Sequence, residues 1–98
     1  MAYEDSARDN EVEISVFSRG VGECILVRLP NGKWIIIDSL LVDSQPIALT
    51  YLRDVGASND DVALVIATHW HDDHIRGLAQ VAANCTNAKI AYSTVLCK

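Results

Sequence analysis

Residues 62–74 read VALVIATHWHDDH and join an uninterrupted apolar run to a cluster of histidines and aspartates. The apolar run is typical of a strand that is buried in the middle of a sheet. All three histidines of the chain fall within six residues, as His69, His71 and His74. Asp73 stands among them. Because α/β proteins place their sites at the carboxyl ends of strands, this stretch predicts a central strand with a site directly after it.

The spacing of these side chains favours a metal site. Residues two apart in an extended segment point the same way, so His69 and His71 can converge on one ion. Asp73 and His74 follow as the chain turns into a helix, and they can be directed at a second point nearby. Neutral imidazole and carboxylate ligands suit zinc, with manganese or iron as substitutes. The competing interpretation is a polar loop with fortuitous histidines, or a surface cluster that picks up metal during purification.

The remaining sequence predicts a mixed α/β fold with the element order β-β-β-α-β-α-β. The expected strands are residues 11–18, 24–29, 34–37, 62–67 and 88–92, and the expected helices are residues 44–56 and about 75–84. Ser44 is expected to cap the first helix, with Pro46 in its first turn. The second strand is apolar enough to predict burial on both faces. A hairpin followed by strand–helix–strand crossovers gives a mixed sheet with helices on one face.

Composition limits the chain to one domain. Its 98 residues are 50% hydrophobic, which fits a folded globular protein. The net charge of −5 gives no basic surface for tight, nonspecific nucleic-acid binding. We see neither an apolar run of membrane-spanning length nor a secretory signal, so the expected location is the cytoplasm and no membrane partner is expected.

Acidic residues gather before the first strand and predict a solvated, flexible arm over residues 1–11, followed by a domain over residues 12–98. The three cysteines, Cys24, Cys85 and Cys97, are odd in number and far apart. We therefore expect reduced, mostly buried thiols rather than a disulfide framework.

The histidine cluster, HWHDDH over residues 69–74, resembles the HxHxDH signature of the metallo-β-lactamase superfamily. The resemblance implies that His69 and His71 bind one metal ion and that Asp73 and His74 bind a second. Asp73 is therefore the candidate catalytic residue as well as a ligand. The implied cofactor is zinc, with two ions in a complete site, and manganese or iron can substitute.

The opening hairpin extends this resemblance. GVGECILV at residues 20–27, LPNGK at 29–33 and IIID at 35–38 are similar to the hydrolase domain of competence-type DNA-uptake proteins and their stand-alone relatives. In that family an aspartate placed like Asp38 lies beneath the metal loop and helps to order it. The resemblance covers about residues 12–92.

The sequence departs from the family pattern in three respects. The family usually has glycine soon after the strand-ending aspartate, where this chain has Ser39-Leu40, and it favours two glycines after the metal motif, where this chain has Arg76 and Gly77. Members also form an αββα sandwich from two βα halves, and this chain matches the N-terminal half. Since no histidine follows His74, the ligands that the family places downstream have no counterpart.

The resemblance implies a metal-dependent hydrolase that, when the fold is complete, attacks its substrate with a metal-bound hydroxide. The competence-type similarity favours a phosphodiester substrate, either nucleic acid or a nucleotide, with acyl substrates such as thioesters and lactams as the alternative. A second hypothesis is a truncated or split half-domain that is inactive alone and serves as a metal-binding or protein-interaction module. In either case we expect self-association or a partner chain to cover the exposed sheet.

Overall fold

A computed structural model describes residues 11–19, 22–68 and 72–92, and for residues 19, 22, 72–76 and 92 it describes the backbone alone. The elements are β1 (Glu13–Arg19), β2 (Gly22–Arg28), β3 (Trp34–Ile37), β4 (Leu41–Val42), β5 (Gln45–Pro46), α1 (Ile47–Asp54), a short 3-10 helix (Asn59–Asp61), β6 (Val62–Ala67), α2 (Asp72–Asn84) and β7 (Lys89–Tyr92). The acidic arm expected at the start of the chain lies, apart from Glu11, outside the described residues. None of the helices described is both long enough and apolar enough to cross a membrane.

In the described ranges, five strands form one mixed sheet in the order β1-β2-β3-β6-β7. The pairs β1–β2 and β2–β3 are antiparallel, and the pairs β3–β6 and β6–β7 are parallel. The turn between β2 and β3 is tight because Gly32 adopts a φ of +82° and the Asn31 side chain accepts a hydrogen bond from the Lys33 N–H. The expected mixed α/β fold, with β6 inside the sheet, is confirmed.

The core lies between one face of this sheet and the two helices. Successive strand residues point to opposite faces, and the cross-strand partners Leu26 and Ile36 share the face that the helices cover. The buried core residues are Cys24, Leu26, Trp34, Ile36, Ala48, Leu52, Val62, Val65, Val81 and Cys85. The carboxyl ends of β3 and β6, which are parallel neighbours, lie at the same edge of the sheet.

The opposite face of the sheet is also apolar, and no described element packs on it. By register this open face comprises Ile14, Val16, Ile25, Val27, Ile35, Ile37, Leu64 and Ile66. Ile14 and Val16 are 64% and 61% exposed. The expectation that the second strand is buried on both faces is therefore wrong for the described chain, because the helices cover only one side of it.

The first helix begins later than the sequence indicates. Asp43 and Ser44 have positive φ values of 54° and 66° and make the turn of a small hairpin in which β4 pairs with β5. The helix α1 starts at Ile47, and Pro46 precedes it without a side-chain cap. The prediction that Ser44 caps this helix is wrong, because its backbone is committed to the turn.

The second helix begins earlier than the sequence indicates. We expected it from about Ile75, whereas α2 starts at Asp72. Asp73 and His74 therefore belong to the first turn of the helix and do not precede it. The backbone positions of Asp73 and His74 therefore depend on the contacts that hold α2 against the rest of the fold.

Candidate metal centre

The candidate site is built on the carboxyl ends of β3 and β6, which are parallel neighbours. Asp38 follows β3 directly, and Thr68 follows β6. The Asp38 backbone N–H donates a hydrogen bond to the Ile66 carbonyl at 2.7 Å, which extends the pairing of the two strands by one step. The pairing of the two strands thus brings Asp38 beside Thr68, the residue directly before the histidine cluster.

The Asp38 carboxylate joins these two strand ends. It accepts a hydrogen bond from the Thr68 backbone N–H at 2.6 Å and a second, short one from the Thr68 hydroxyl. Asp38 is buried, with 4% of its surface exposed, so its charge depends on such partners. Its φ of +61° lies in the left-handed region, which aspartate tolerates better than most residues because its short polar side chain can form local hydrogen bonds.

Residues 38–40, here called the support turn, also contact both helices. The Leu40 carbonyl accepts a hydrogen bond from the Ile47 N–H at 2.8 Å, at the start of α1. Ser39 packs against α2 at Gly77, where an added Cβ would lie 2.3 Å from the Ser39 Oγ. The support turn therefore connects the sheet, both helices and the segment that leads into the histidines.

A buried cysteine lies under the support turn. Burial and, to a lesser extent, the nearby charge of Asp38 raise the pKa of the Cys24 thiol to about 12, against the opposing effect of a hydrogen bond from the Leu40 backbone N–H. Burial, followed by the charge of Asp60, also raises the pKa of Cys85. Cys24 and Cys85 are unpaired and buried, as expected from the sequence, whereas Cys97 lies outside the described residues. The raised pKa values keep the two described thiols protonated at neutral pH, which disfavours metal ligation.

The four predicted ligands differ in how far the structure describes them. His69 and His71 lie outside the described residues, and for Asp73 and His74 only the backbone is described. Their role as ligands, and the catalytic role of Asp73, therefore stay predictions. Among the side chains that are described, no three acidic, histidine or cysteine groups cluster closely enough to hold a metal ion.

The chemistry of the predicted donor set fits zinc. Zinc is a borderline-soft ion that binds imidazole nitrogens and carboxylate oxygens, and catalytic zinc sites use histidines with a carboxylate in this way. The chain on either side of this donor set is anchored: Thr68 is held by Asp38, and Gly77 contacts Ser39.

Two contributors to this arrangement are not among the site residues that the sequence predicts. Thr68 supplies two donors to Asp38, and the available signal is a hydroxyl residue directly before the histidine cluster. Ser39 stands out in the sequence only as a departure from the family pattern. The signal for its contact was Gly77, because a glycine inside a helix is destabilising by about 1 kcal/mol relative to alanine and indicates a close approach.

The chain matches the model of one known protein family over most of its length. The family model described as the metallo-beta-lactamase superfamily matches residues 18–97. The chain therefore belongs to this superfamily, whose members are metallo-hydrolases. No curated protein matches the sequence.

Solved structures show the same fold. A motif variant of a metallo-beta-lactamase from Cronobacter sakazakii aligns with a TM-score of 0.68 and 23% identity, over 85% of this chain and 32% of its own. AidC, a dizinc quorum-quenching lactonase, aligns with a TM-score of 0.57 and 26% identity, over 76% of this chain and 27% of its own. A Thermotoga maritima protein assigned to the metallo-beta-lactamases aligns with a TM-score of 0.52 and 24% identity, over 82% of this chain and 41% of its own. The chain thus spans roughly a third of the length of these structures, and it corresponds to the N-terminal half of their fold.

Proposed function

We propose that this chain supplies the first metal ligands of a metal-dependent hydrolase that acts on a phosphodiester, either nucleic acid or a nucleotide. The observation that carries the proposal is the pair of hydrogen bonds from Thr68 to Asp38. This pair fixes the residue directly before His69 at the carboxyl ends of two parallel strands. The chain belongs to a superfamily of metallo-hydrolases, and in such a chain the segment that carries the metal ligands needs neighbouring residues to hold it in this way.

In this proposal His69 and His71 hold one ion, and Asp73 and His74 hold the second. Two divalent ions held by these residues would supply a water of lowered pKa and a Lewis acid for the group under attack. The chain's own residues supply the geometry. Asp38 positions the first pair of ligands through Thr68, and the Asp73 carboxylate can accept a hydrogen bond from the attacking water.

The preference for a phosphodiester has two supports. The first is the similarity of the opening hairpin to the competence-type hydrolase domain. The second is that α2 begins at Asp72, directly within the ligand segment, and the partial positive charge of a helix N-terminus favours an anionic group. A phosphodiester carries its negative charge on the group under attack, whereas the carbonyl of a lactone or lactam ring is neutral.

An acyl substrate is the competing candidate, and the likeness to AidC favours it. The two candidates are separated by assaying the purified chain, supplied with zinc, against bis(p-nitrophenyl) phosphate, an N-acyl-homoserine lactone and a chromogenic cephalosporin. His71→Ala serves as the matched control in each assay. Turnover of the phosphodiester that His71→Ala abolishes supports the proposal, and turnover of the lactone or cephalosporin alone makes the substrate class wrong.

A half-domain module is the second candidate function, and the open face favours it. Exposed Ile14 and Val16 continue an apolar surface across β1, β2, β3 and β6. Soluble monomers rarely expose contiguous apolar surface of this kind, so we propose that a second copy or a partner chain covers it. Zinc binding without turnover of any of the three substrates, in a self-associated chain, supports the module and contradicts hydrolysis by this chain.

A further inference from the structure

Two neighbouring residues of the support turn hold opposite ends of the predicted ligand segment. Asp38 binds Thr68, directly before His69. Ser39 contacts Gly77, three residues after His74. The first contact is made of hydrogen bonds and the second of close packing.

The Ser39 contact leaves no room for any side chain at position 77. A Cβ added to Gly77 would lie 2.3 Å from the Ser39 Oγ, 3.0 Å from the Ser39 Cβ and 3.5 Å from the Leu41 Cδ2. Contacts under 3.0 Å force something to move, and here the obstacle is a short side chain that is itself buried, with 3% of its surface exposed. The helix α2 therefore lies against the support turn at backbone distance.

The Ser39 hydroxyl is buried and has no hydrogen-bond partner among the residues that the structure describes. Burial of an unpaired hydroxyl is unfavourable, and alanine would fill most of the same space without that cost. The contact with Gly77 therefore does not follow from hydrogen bonding. It follows from shape, because serine and glycine together set the separation between the support turn and α2.

We propose that Ser39 and Gly77 are positioning residues for Asp73 and His74. The inference rests on the proposed function, which makes Asp73 and His74 metal ligands. These two residues lie one helical turn before Gly77, so a shift of α2 at Gly77 displaces their backbone. Thr68, which directly precedes His69, is held separately by Asp38, so a change at Gly77 is expected to leave zinc binding by the first pair of predicted ligands unaffected.

Zinc titrations in two backgrounds test this separation. His71→Ala removes one of the first pair of ligands, and the remaining affinity then reports on Asp73 and His74. His74→Ala removes one of the second pair of ligands, and the remaining affinity then reports on His69 and His71. Gly77→Ala is expected to weaken zinc binding about tenfold in the His71→Ala background, the size typical of lost support around a ligand, and to leave it unchanged in the His74→Ala background.

Two further variants control for general destabilisation. The double variant Ser39→Gly/Gly77→Ala empties the space that the new Cβ needs, and it is expected to restore zinc binding. Ala79→Gly weakens the same helix at an exposed position away from the support turn; it is expected to lower the melting temperature and leave both zinc affinities unchanged. If Gly77→Ala alone does not fold, recovery of folding by the double variant supports the contact, and failure to recover overturns it.

Hydrogen exchange without metal makes the test independent of the proposed function. Gly77→Ala is expected to speed amide exchange at residues 72–77 more than at residues 80–84, and Ala79→Gly is expected not to show this bias. A wild-type chain that binds no zinc contradicts the proposed function, and the exchange pattern still decides the contact. Equal weakening of zinc in both backgrounds, or exchange at residues 72–77 that does not change, overturns the inference.

Discussion

Replacing Asp38 is expected to destabilise the chain in three separable steps, because one side chain supplies two hydrogen-bond acceptors on a left-handed backbone. Asp38→Asn keeps an acceptor for the Thr68 N–H and tolerates the φ of +61°, so it should cost about 1 kcal/mol for the lost charge. Asp38→Gly keeps the backbone relaxed and loses both hydrogen bonds, which at about 1.5 kcal/mol each gives about 3 kcal/mol. Asp38→Ala adds about 1 kcal/mol of backbone strain to that loss.

The assay is urea unfolding of the four proteins under identical conditions, read as the free energy of unfolding. Asp43 provides a matched control, because it has a φ of +54° and lies exposed in the β4–β5 turn. The difference between Asp43→Ala and Asp43→Gly measures the backbone strain alone and should equal the difference between Asp38→Ala and Asp38→Gly. The reasoning is refuted if Asp38→Asn is as destabilising as Asp38→Gly, or if both leave the free energy of unfolding unchanged.

Three other predictions concern the thiol, the open face and the metal. The raised pKa of Cys24 keeps its thiol neutral in the folded chain, so above the ordinary pKa of 9.0 this thiol ionises only in the unfolded chain. The free energy of unfolding should therefore fall by about 1.4 kcal/mol per pH unit from pH 9 towards 12. Cys24→Ala should remove this part of the pH dependence in unfolding curves. Changing Ile14 and Val16 to threonine should reduce self-association in sedimentation experiments while shifting the unfolding free energy by no more than about 0.5 kcal/mol, and unchanged association would show that the open face is not the contact. Zinc at a hundred times its dissociation constant should raise the unfolding free energy by about 2.7 kcal/mol, a gain that a chelator removes; the same gain in His69→Ala/His71→Ala would contradict binding at these histidines.

Much of the fold could be predicted from local sequence pattern. The strand β3 has the bounds that its apolar run indicates, and β6 lies inside the sheet as its continuous apolar character indicates. These predictions succeeded because alternate residues of a strand point to the same face of the sheet, so the pattern of burial can be recognised within a short stretch of sequence. The histidine cluster was found in the same way, since its members are neighbours in sequence.

The errors arose where the structure depends on backbone conformation or on distant residues. Ser44-Gln45-Pro46 has the residue types of a helix start, and only the positive φ of Asp43 and Ser44 distinguishes the hairpin turn that they form. The contact between Ser39 and Gly77 joins residues 38 positions apart. Neither residue type by itself indicates the other, so this contact could not be predicted without the arrangement of β3 and α2.

The open face could be recognised in the sequence, but its exposure could not. Ile25 and Val27 make β2 apolar on both sides, which is the pattern of a strand covered twice. The described chain covers one side only, and its solved relatives are about three times as long. Burial predicted from composition thus assumes a covering layer on each face, and the described elements supply that layer on one face only.

The central claim is that residues 69–74 bind metal on a support supplied by residues 38–40. Native mass spectrometry of the purified chain with zinc tests it most directly, because one spectrum gives both the number of ions and the number of chains. The account predicts zinc bound to the wild-type chain, in an associated form, and lost or greatly weakened in His69→Ala/His71→Ala. A wild-type chain that binds zinc no better than this double variant would contradict the account.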